Sequence, residues 1–225
     1  MRTARARTSG EYLAEVFVMA PPSQGSEPPA NPERFNAGGD ELLGGDGDDD
    51  LSGGEGDDLL EGGSGADRLD GGDGLDWAIY SNSGSGVEVD LASGTTGGGA
   101  LGDTLLQIEN VRGSSFDDTI FGDGLTNILN GGDGNDVLKG GEGDDVIDGG
   151  LGADIAVFDG LLSDYAISYV SGTATVEDLN PTDGDEGTNL VRNVRILRFA
   201  DGDVQFNSPP VIETSTATGG VTEIA

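Results

Sequence analysis

From Gly44 onward the chain repeats itself every nine residues. Gly44-Gly45-Asp46-Gly47-Asp48-Asp49-Asp50-Leu51-Ser52 is followed by Gly53-Gly54-Glu55-Gly56-Asp57-Asp58-Leu59-Leu60-Glu61 and by Gly62-Gly63-Ser64-Gly65-Ala66-Asp67-Arg68-Leu69-Asp70, and a further copy opens at Gly71. Glycine holds the first, second and fourth places, aspartate the sixth and an aliphatic residue the eighth. A second run with the same pattern of places lies between Gly131 and Asp154. A fixed period separates a repeat architecture, in which each unit packs on its neighbours, from a low-complexity segment. Composition alone, with 42 glycines, a net charge of −33 and 34% hydrophobic residues in 225, argues for disorder, so the period decides between the two.

Charge and missing residue types remove several functions. The acidic excess repels phosphate, so nucleic acid is not the expected partner, whereas cations are. Four of the ten basic residues (Arg2, Arg5, Arg7, Arg34) precede the repeats, which leaves the remainder more acidic still. With no cysteine, stability outside a cell must come from something other than disulfides, and a bound metal is the natural substitute. With no histidine there is no His-based zinc site, His-dependent triad or HExxH helix. No GxSxG nucleophile elbow is present, and the regular aspartates are accounted for as ligands, so the expectation is a non-catalytic chain. No membrane span is expected.

Residues 1–34 share nothing with the repeat and read as a disordered leader and linker. Met1 to Arg7 is basic and Tyr12 to Ala20 mildly apolar, but Glu15 interrupts the pattern a secretory leader ending at Ala20-Pro21 would need. Pro21, Pro22, Pro28, Pro29 and Pro32 make a stiff linker ahead of the repeats. A first array covers 35–80, with Asp40, Asp49, Asp58, Asp67 and Asp76 in the sixth place and Leu42, Leu51, Leu60, Leu69 and Ala78 in the eighth. Trp77 and Tyr80 are expected as core packing at its end. Residues 81–112 break the period and read as a β insertion. Gly86 to Leu91 alternates as a strand, Gly94 to Gly102 is a flexible loop, and Leu105 to Val111 is another strand. The formal match Gly97-x-Gly99-x-x-Gly102 follows no buried strand and opens no helix, so it is taken as chance.

A second array covers 113–158. Its sixth places are Asp118, Asn127, Asp136, Asp145 and Asp154, and its eighth places Ile120, Leu129, Leu138, Ile147 and Ala156. Only the copies at Gly131, Gly140 and Gly149 keep all three glycines, and Asn127 keeps an oxygen but loses a charge. Residues 159–206 read as a β-rich cap: a hairpin from Tyr165–Val170 and Ala174–Leu179, then a strand from Leu190 to Phe199 and a turn at Ala200 to Asp203. Residues 207–225 are a linker or the start of a further module.

The unit predicts its own chemistry. Six residues form a tight turn that needs glycine, and three form a short strand whose middle, aliphatic side chain faces inward. One buried aliphatic group per nine ordered residues is too little to fold the unit. Coils stack at about 4.8 Å, and two carboxylates about 4 Å apart repel by about 4 kcal/mol at an effective dielectric near 20. A divalent cation between them reverses the sign. Calcium fits best, because it takes six to eight oxygens, carboxylate and carbonyl alike, in flexible geometry. Magnesium holds its waters, and softer metals want nitrogen or sulfur. With two units per coil, the paired positions are Asp40/Asp58, Asp49/Asp67, Asp58/Asp76, Asp118/Asp136, Asn127/Asp145 and Asp136/Asp154.

The units at Gly44, Gly53, Gly62, Gly131 and Gly140 resemble the RTX (hemolysin-type) calcium-binding nonapeptide. The resemblance implies an all-β fold of two parallel β-roll arrays, with calcium in the turns. It also implies a secreted protein exported by type I machinery through an uncleaved signal near its natural C-terminus; no clear signal of that kind is visible in the tail. Ile108-Glu109-Asn110-Val111 leading into Gly113 is similar to linkers between arrays in secreted RTX proteases, epimerases and adhesins, and Ser215 to Ala225 is similar to the opening of a VCBS-type adhesin repeat. The expected function is a calcium-binding module that folds on meeting extracellular calcium. The alternative is a fragment of an extracellular adhesin, or of the C-terminal region of a secreted protease, epimerase or glycosidase, with an extracellular polysaccharide or cell-surface partner.

Overall fold

The computed structural model describes residues 16–18, 38–180, 182, 184–206, 212–213 and 221–223. The rest of the expected leader, the proline linker and most of the tail lie outside the described residues.

The turns set the architecture. In each full repeat the second and fourth glycines have positive φ, for instance +112° at Gly54 and +121° at Gly56, a region that residues with a Cβ resist. Space gives a second reason: a Cβ on Gly63 would run into the Gly45 carbonyl of the neighbouring coil. The glycines therefore reverse the chain and let successive coils stack in backbone contact.

Coils two units apart pair in parallel, Leu42 opposite Leu60, Leu51 opposite Leu69 and Leu129 opposite Ile147. One face of the roll is a continuous sheet of Glu41–Asp46, Leu59–Ser64, Trp77–Ile79, Asn110–Arg112, Ile128–Asp133, Val146–Leu151 and Thr188–Arg192. The opposite face is in two pieces. Asp50–Glu55, Arg68–Asp73 and Thr104–Leu106 form the first; Val87–Asp90, Thr119–Phe121, Val137–Lys139, Ile155–Val157 and Ile196–Phe199 form the parallel part of the second. All ten eighth-place residues of the two arrays are buried between the faces, and Val111, Val191 and Leu197 join them from outside the arrays. The expected all-β parallel β-roll is the fold found. Among the described residues no helix is long and apolar enough to cross a membrane.

The segment between the arrays is not set apart from the roll. Asn110–Arg112 pairs with Trp77–Ile79 on one side and Ile128–Asp133 on the other, so the stack runs through it. The single strand expected over Leu105 to Val111 is two, Thr104–Leu106 and Asn110–Arg112, on opposite faces, with Gln107 at a φ of 50° between them. Leu190 to Phe199 is likewise divided into Thr188–Arg192 and Ile196–Phe199, with Asn193 at a φ of 54° between them. The loop expected from Gly94 to Gly102 contains the strand Thr95–Gly98, antiparallel to Val87–Asp90.

The hairpin of Tyr165–Val170 and Thr173–Asp178 continues the long sheet beyond Thr188–Arg192, and Gly202–Phe206 covers Ile196–Phe199 on the other face. The last coil therefore has no bare edge. Phe158, Tyr165 and Phe199 cluster under this cap, with ring centroids 5.0 to 5.5 Å apart. At the other end of the chain, Val16–Val18 adds a parallel strand to Glu41–Asp46. Tyr80 is in the core as expected. Trp77 is not: it lies half-buried on the outer sheet face with the Arg112 guanidinium 5.6 Å above its ring.

Candidate metal centre

The sixth-place residues stack in columns where the turns stack. Each link is a backbone N–H donated to the aspartate eighteen residues on: Asp40 to Asp58 Oδ1 at 2.7 Å, Asp49 to Asp67 at 2.9 Å, Asp58 to Asp76 at 2.8 Å. In the second array Asp118 donates to Asp136, Asn127 to Asp145 and Asp136 to Asp154, each at 2.9 Å. All six expected pairs are thus adjacent, joined through backbone and carboxylate rather than carboxylate to carboxylate.

The columns continue through residues outside the ten sixth places of the two arrays. Asp67 donates to Asp103 Oδ1, Asp76 to Glu109 Oε2 and Asp145 to Asn189 Oδ1, each at 2.9 Å. Each acceptor stands two residues before an inward aliphatic group, Leu105, Val111 or Val191, as the aspartate does in a full repeat. Asp103 also keeps the nine-residue phase of the first array, a signal the sequence carries. Glu109 keeps the phase of the second array, nine residues before Asp118, whereas Asn189 is out of phase, so only the polar–x–aliphatic spacing could have marked Asn189.

The second carboxylate oxygen tells the site's chemistry. Oδ2 of Asp49, Asp58, Asp67, Asp76, Asp136, Asp145 and Asp154 is buried with no hydrogen-bond partner. Each lies against the first-place glycine of its own loop. At Gly44, Gly53, Gly71, Gly131 and Gly149 a main-chain carbonyl oxygen of the next coil crowds the same point; these carbonyls belong to Gly62, Gly71, Gln107, Gly149 and Asn193 respectively. Buried oxygens gathered without a donor are strongly unfavourable unless something positive joins them. The ion pairs of the described residues do not supply it. Arg68 meets Asp50 and Asp70, Lys139 meets Asp159, Arg192 meets Asp148 and Arg198 meets Asp203, all outside these columns.

Electrostatics agrees. Burial, opposed by the Asp58 backbone bond and reinforced by the charges of Asp58 and Glu109, pushes Asp76 up to about 6. Asp136 is pushed to about 7 by burial with Asp118 and Asp154 nearby, and Asp145 to about 7 by burial with Asp123 and Asp144 nearby. Burial also raises Asp49, Asp58, Asp67 and Asp154. Each column holds protons tightly because it holds negative charge badly.

The donors are hard oxygens, part carboxylate and part carbonyl. Among the described residues no three carboxylates converge on one point, so backbone oxygens must complete any shell. That donor set suits calcium and neither zinc nor copper.

Asp118 and Asn127 differ from the other sixth-place residues. Asp118 Oδ2 accepts the Ser114 N–H at 2.6 Å, and its Oδ1 accepts the Ser114 hydroxyl at 2.8 Å and the Val87 N–H at 2.7 Å. Asn127 Oδ1 accepts the Asp123 N–H at 2.8 Å, and Nδ2 donates to the Glu109 carbonyl at 2.7 Å. Both side chains are satisfied by the protein.

No curated protein matches the chain. The family model described as RTX calcium-binding nonapeptide repeat (4 copies) matches residues 36–78, 107–124 and 121–156. The middle match begins ahead of Gly113 and takes in the rung at Asn110–Arg112. Periodic glycine turns, stacked aspartates and family match agree: over these residues the chain is built of RTX nonapeptide repeats, and calcium is the ion such repeats bind.

Proposed function

We propose that this chain is a non-catalytic module of a secreted RTX-type protein that folds when it meets extracellular calcium. Asp49, Asp58, Asp67, Asp76, Asp136, Asp145 and Asp154 are the carboxylate ligands, with main-chain carbonyls of the glycine turns completing each shell, and Asp40 continues the column at its outer end. The observation that carries this reading is the set of seven buried carboxylate oxygens that have no donor. Calcium supplies the positive charge they need; the chain's own residues fix its distance from the core and exclude water from one side.

The mechanism is linkage. An ion that binds only the folded chain stabilises it by RT ln(1 + [L]/Kd) per site. Extracellular calcium modules typically bind at about 10⁻⁴ to 10⁻³ M. At low cytosolic calcium the chain stays unfolded and competent for export by type I machinery; outside, it folds. Far-ultraviolet circular dichroism across a calcium titration tests this. The expected result is a coil spectrum in chelator turning to β, with magnesium far less effective. A β spectrum indifferent to chelator would sink the proposal.

A further inference from the structure

Two nonapeptide loops are built differently from the other seven. In the loops beginning at Gly44, Gly53, Gly62, Gly71, Gly131, Gly140 and Gly149, the second and fourth places are glycines with φ between +91° and +158°. These are the same seven loops whose aspartate leaves a buried Oδ2 unpartnered. In the loops beginning at Gly113 and Gly122 the corresponding places hold Ser114 and Phe116, and Asp123 and Leu125. None of these four has positive φ.

The backbone angle decides where the second-place N–H points. With glycine at positive φ it does not reach the sixth-place side chain of its own loop. Without positive φ it turns into the loop: Ser114 N–H reaches Asp118 Oδ2 at 2.6 Å, and Asp123 N–H reaches Asn127 Oδ1 at 2.8 Å. The second-place side chain then caps the fourth-place N–H, Ser114 Oγ accepting from Phe116 at 3.1 Å and Asp123 Oδ1 from Leu125 at 2.8 Å. Asn127 goes further, since its Nδ2 donates to the Glu109 carbonyl at 2.7 Å. The Gly131 and Gly140 carbonyls still crowd these loops as in the others, but here a peptide proton already sits on the sixth-place oxygen that the other loops leave without a donor. Asp118 and Asn127 are both at least 98% buried, so water does not compete for these bonds.

We infer that the Gly113 and Gly122 loops are closed by their own protons and hold no calcium, so that the roll carries two separate calcium ladders joined by a metal-independent segment. This rests on the reading that calcium occupies the unpartnered carboxylates of the other loops. The joining segment spans Glu109 to Asn127, and its bonds form without ions. It gives the second ladder a preformed face to stack on, while the two ladders load independently.

Native mass spectrometry of the full chain, counting ions at saturating calcium, tests the inference. Asn127→Ala and Asp118→Asn should each bind as many ions as the unmodified chain, whereas Asp136→Asn should lose at least one. The combined variant Asp123→Gly, Leu125→Gly, Asn127→Asp, which rebuilds the glycine turn and the carboxylate, should gain one ion. Loss of an ion in Asn127→Ala or Asp118→Asn, with the β spectrum retained, overturns the inference and leaves the calcium reading standing. No gain in the combined variant, provided it folds, does the same. A chain that binds no calcium at all overturns both.

Discussion

Asp67 and Asp103 are 36 residues apart, yet the Asp67 backbone N–H donates to Asp103 Oδ1 at 2.9 Å, extending the aspartate column past the end of the visible repeat. The other oxygen of Asp103 accepts the Tyr80 hydroxyl at 3.1 Å. One buried carboxylate thus ties the last rungs of the first array to the core.

Replacing Asp103 with alanine orphans two buried donors. Each such group costs about 1–3 kcal/mol. Asp103→Ala should therefore lower the stability of the calcium-loaded protein by more than about 1 kcal/mol in urea unfolding, whereas Asp103→Asn, which keeps an acceptor, should lose less. Equal losses in the two variants would count against the hydrogen-bonding role.

The glycine turns predict a positional contrast. Gly72 has a φ of +105°, and a Cβ there would strike the Gly54 carbonyl; Gly84 has open space around it. Left-handed backbone costs about 1–2 kcal/mol for a residue with a Cβ, before any clash. Gly72→Ala should raise the calcium needed for half-folding by several-fold, and Gly84→Ala should hardly move it, as read by circular dichroism.

In the proposed site, calcium and protons compete for the same oxygens. Asp76 sits near 6 and Asp136 and Asp145 near 7 in the folded, calcium-free chain, above the ordinary carboxylate value of 3.8. The folded chain therefore keeps protons that the unfolded chain has released. The stability these groups contribute is fully present below about pH 4 and is lost as pH rises through 6 to 7. The calcium-free fold should weaken across that window while apparent calcium affinity strengthens. Titrations at pH 5.5 and 7.5 should show tighter binding at the higher value; the reverse order would refute the site electrostatics.

The cap carries a contact of its own. The Tyr165 hydroxyl accepts the Gly160 N–H at 2.9 Å and donates to the buried Glu186 carboxylate, whose other oxygen accepts from Asp159 at 3.1 Å. Tyr165→Phe leaves Glu186 short of a donor in a buried place and should cost about 1–3 kcal/mol. The loss should persist at saturating calcium in urea melts, because it lies outside the aspartate columns.

The nine-residue phase by itself determined a good deal: the parallel roll, the inward aliphatic at every eighth place and the stacking of aspartates eighteen residues apart. Those features are local. Glycine is needed wherever φ is positive within the unit, and a fixed period allows a single stacking register. Tertiary structure alone decided the rest. Asn110–Arg112 keeps the period of the second array, but it joins the first array only because it pairs with a strand 33 residues away, and Thr188–Arg192 is a rung because it pairs with a strand 44 residues away. The bends that place them use Gln107 and Asn193 at positive φ, so no glycine marked the turns, and the aliphatics on either side read as one strand. Asp118 and Asn127 look like the other sixth-place residues in sequence. Ser114 and Asp123 set them apart, because a residue without positive φ there donates its N–H to the sixth-place side-chain oxygen of its own loop.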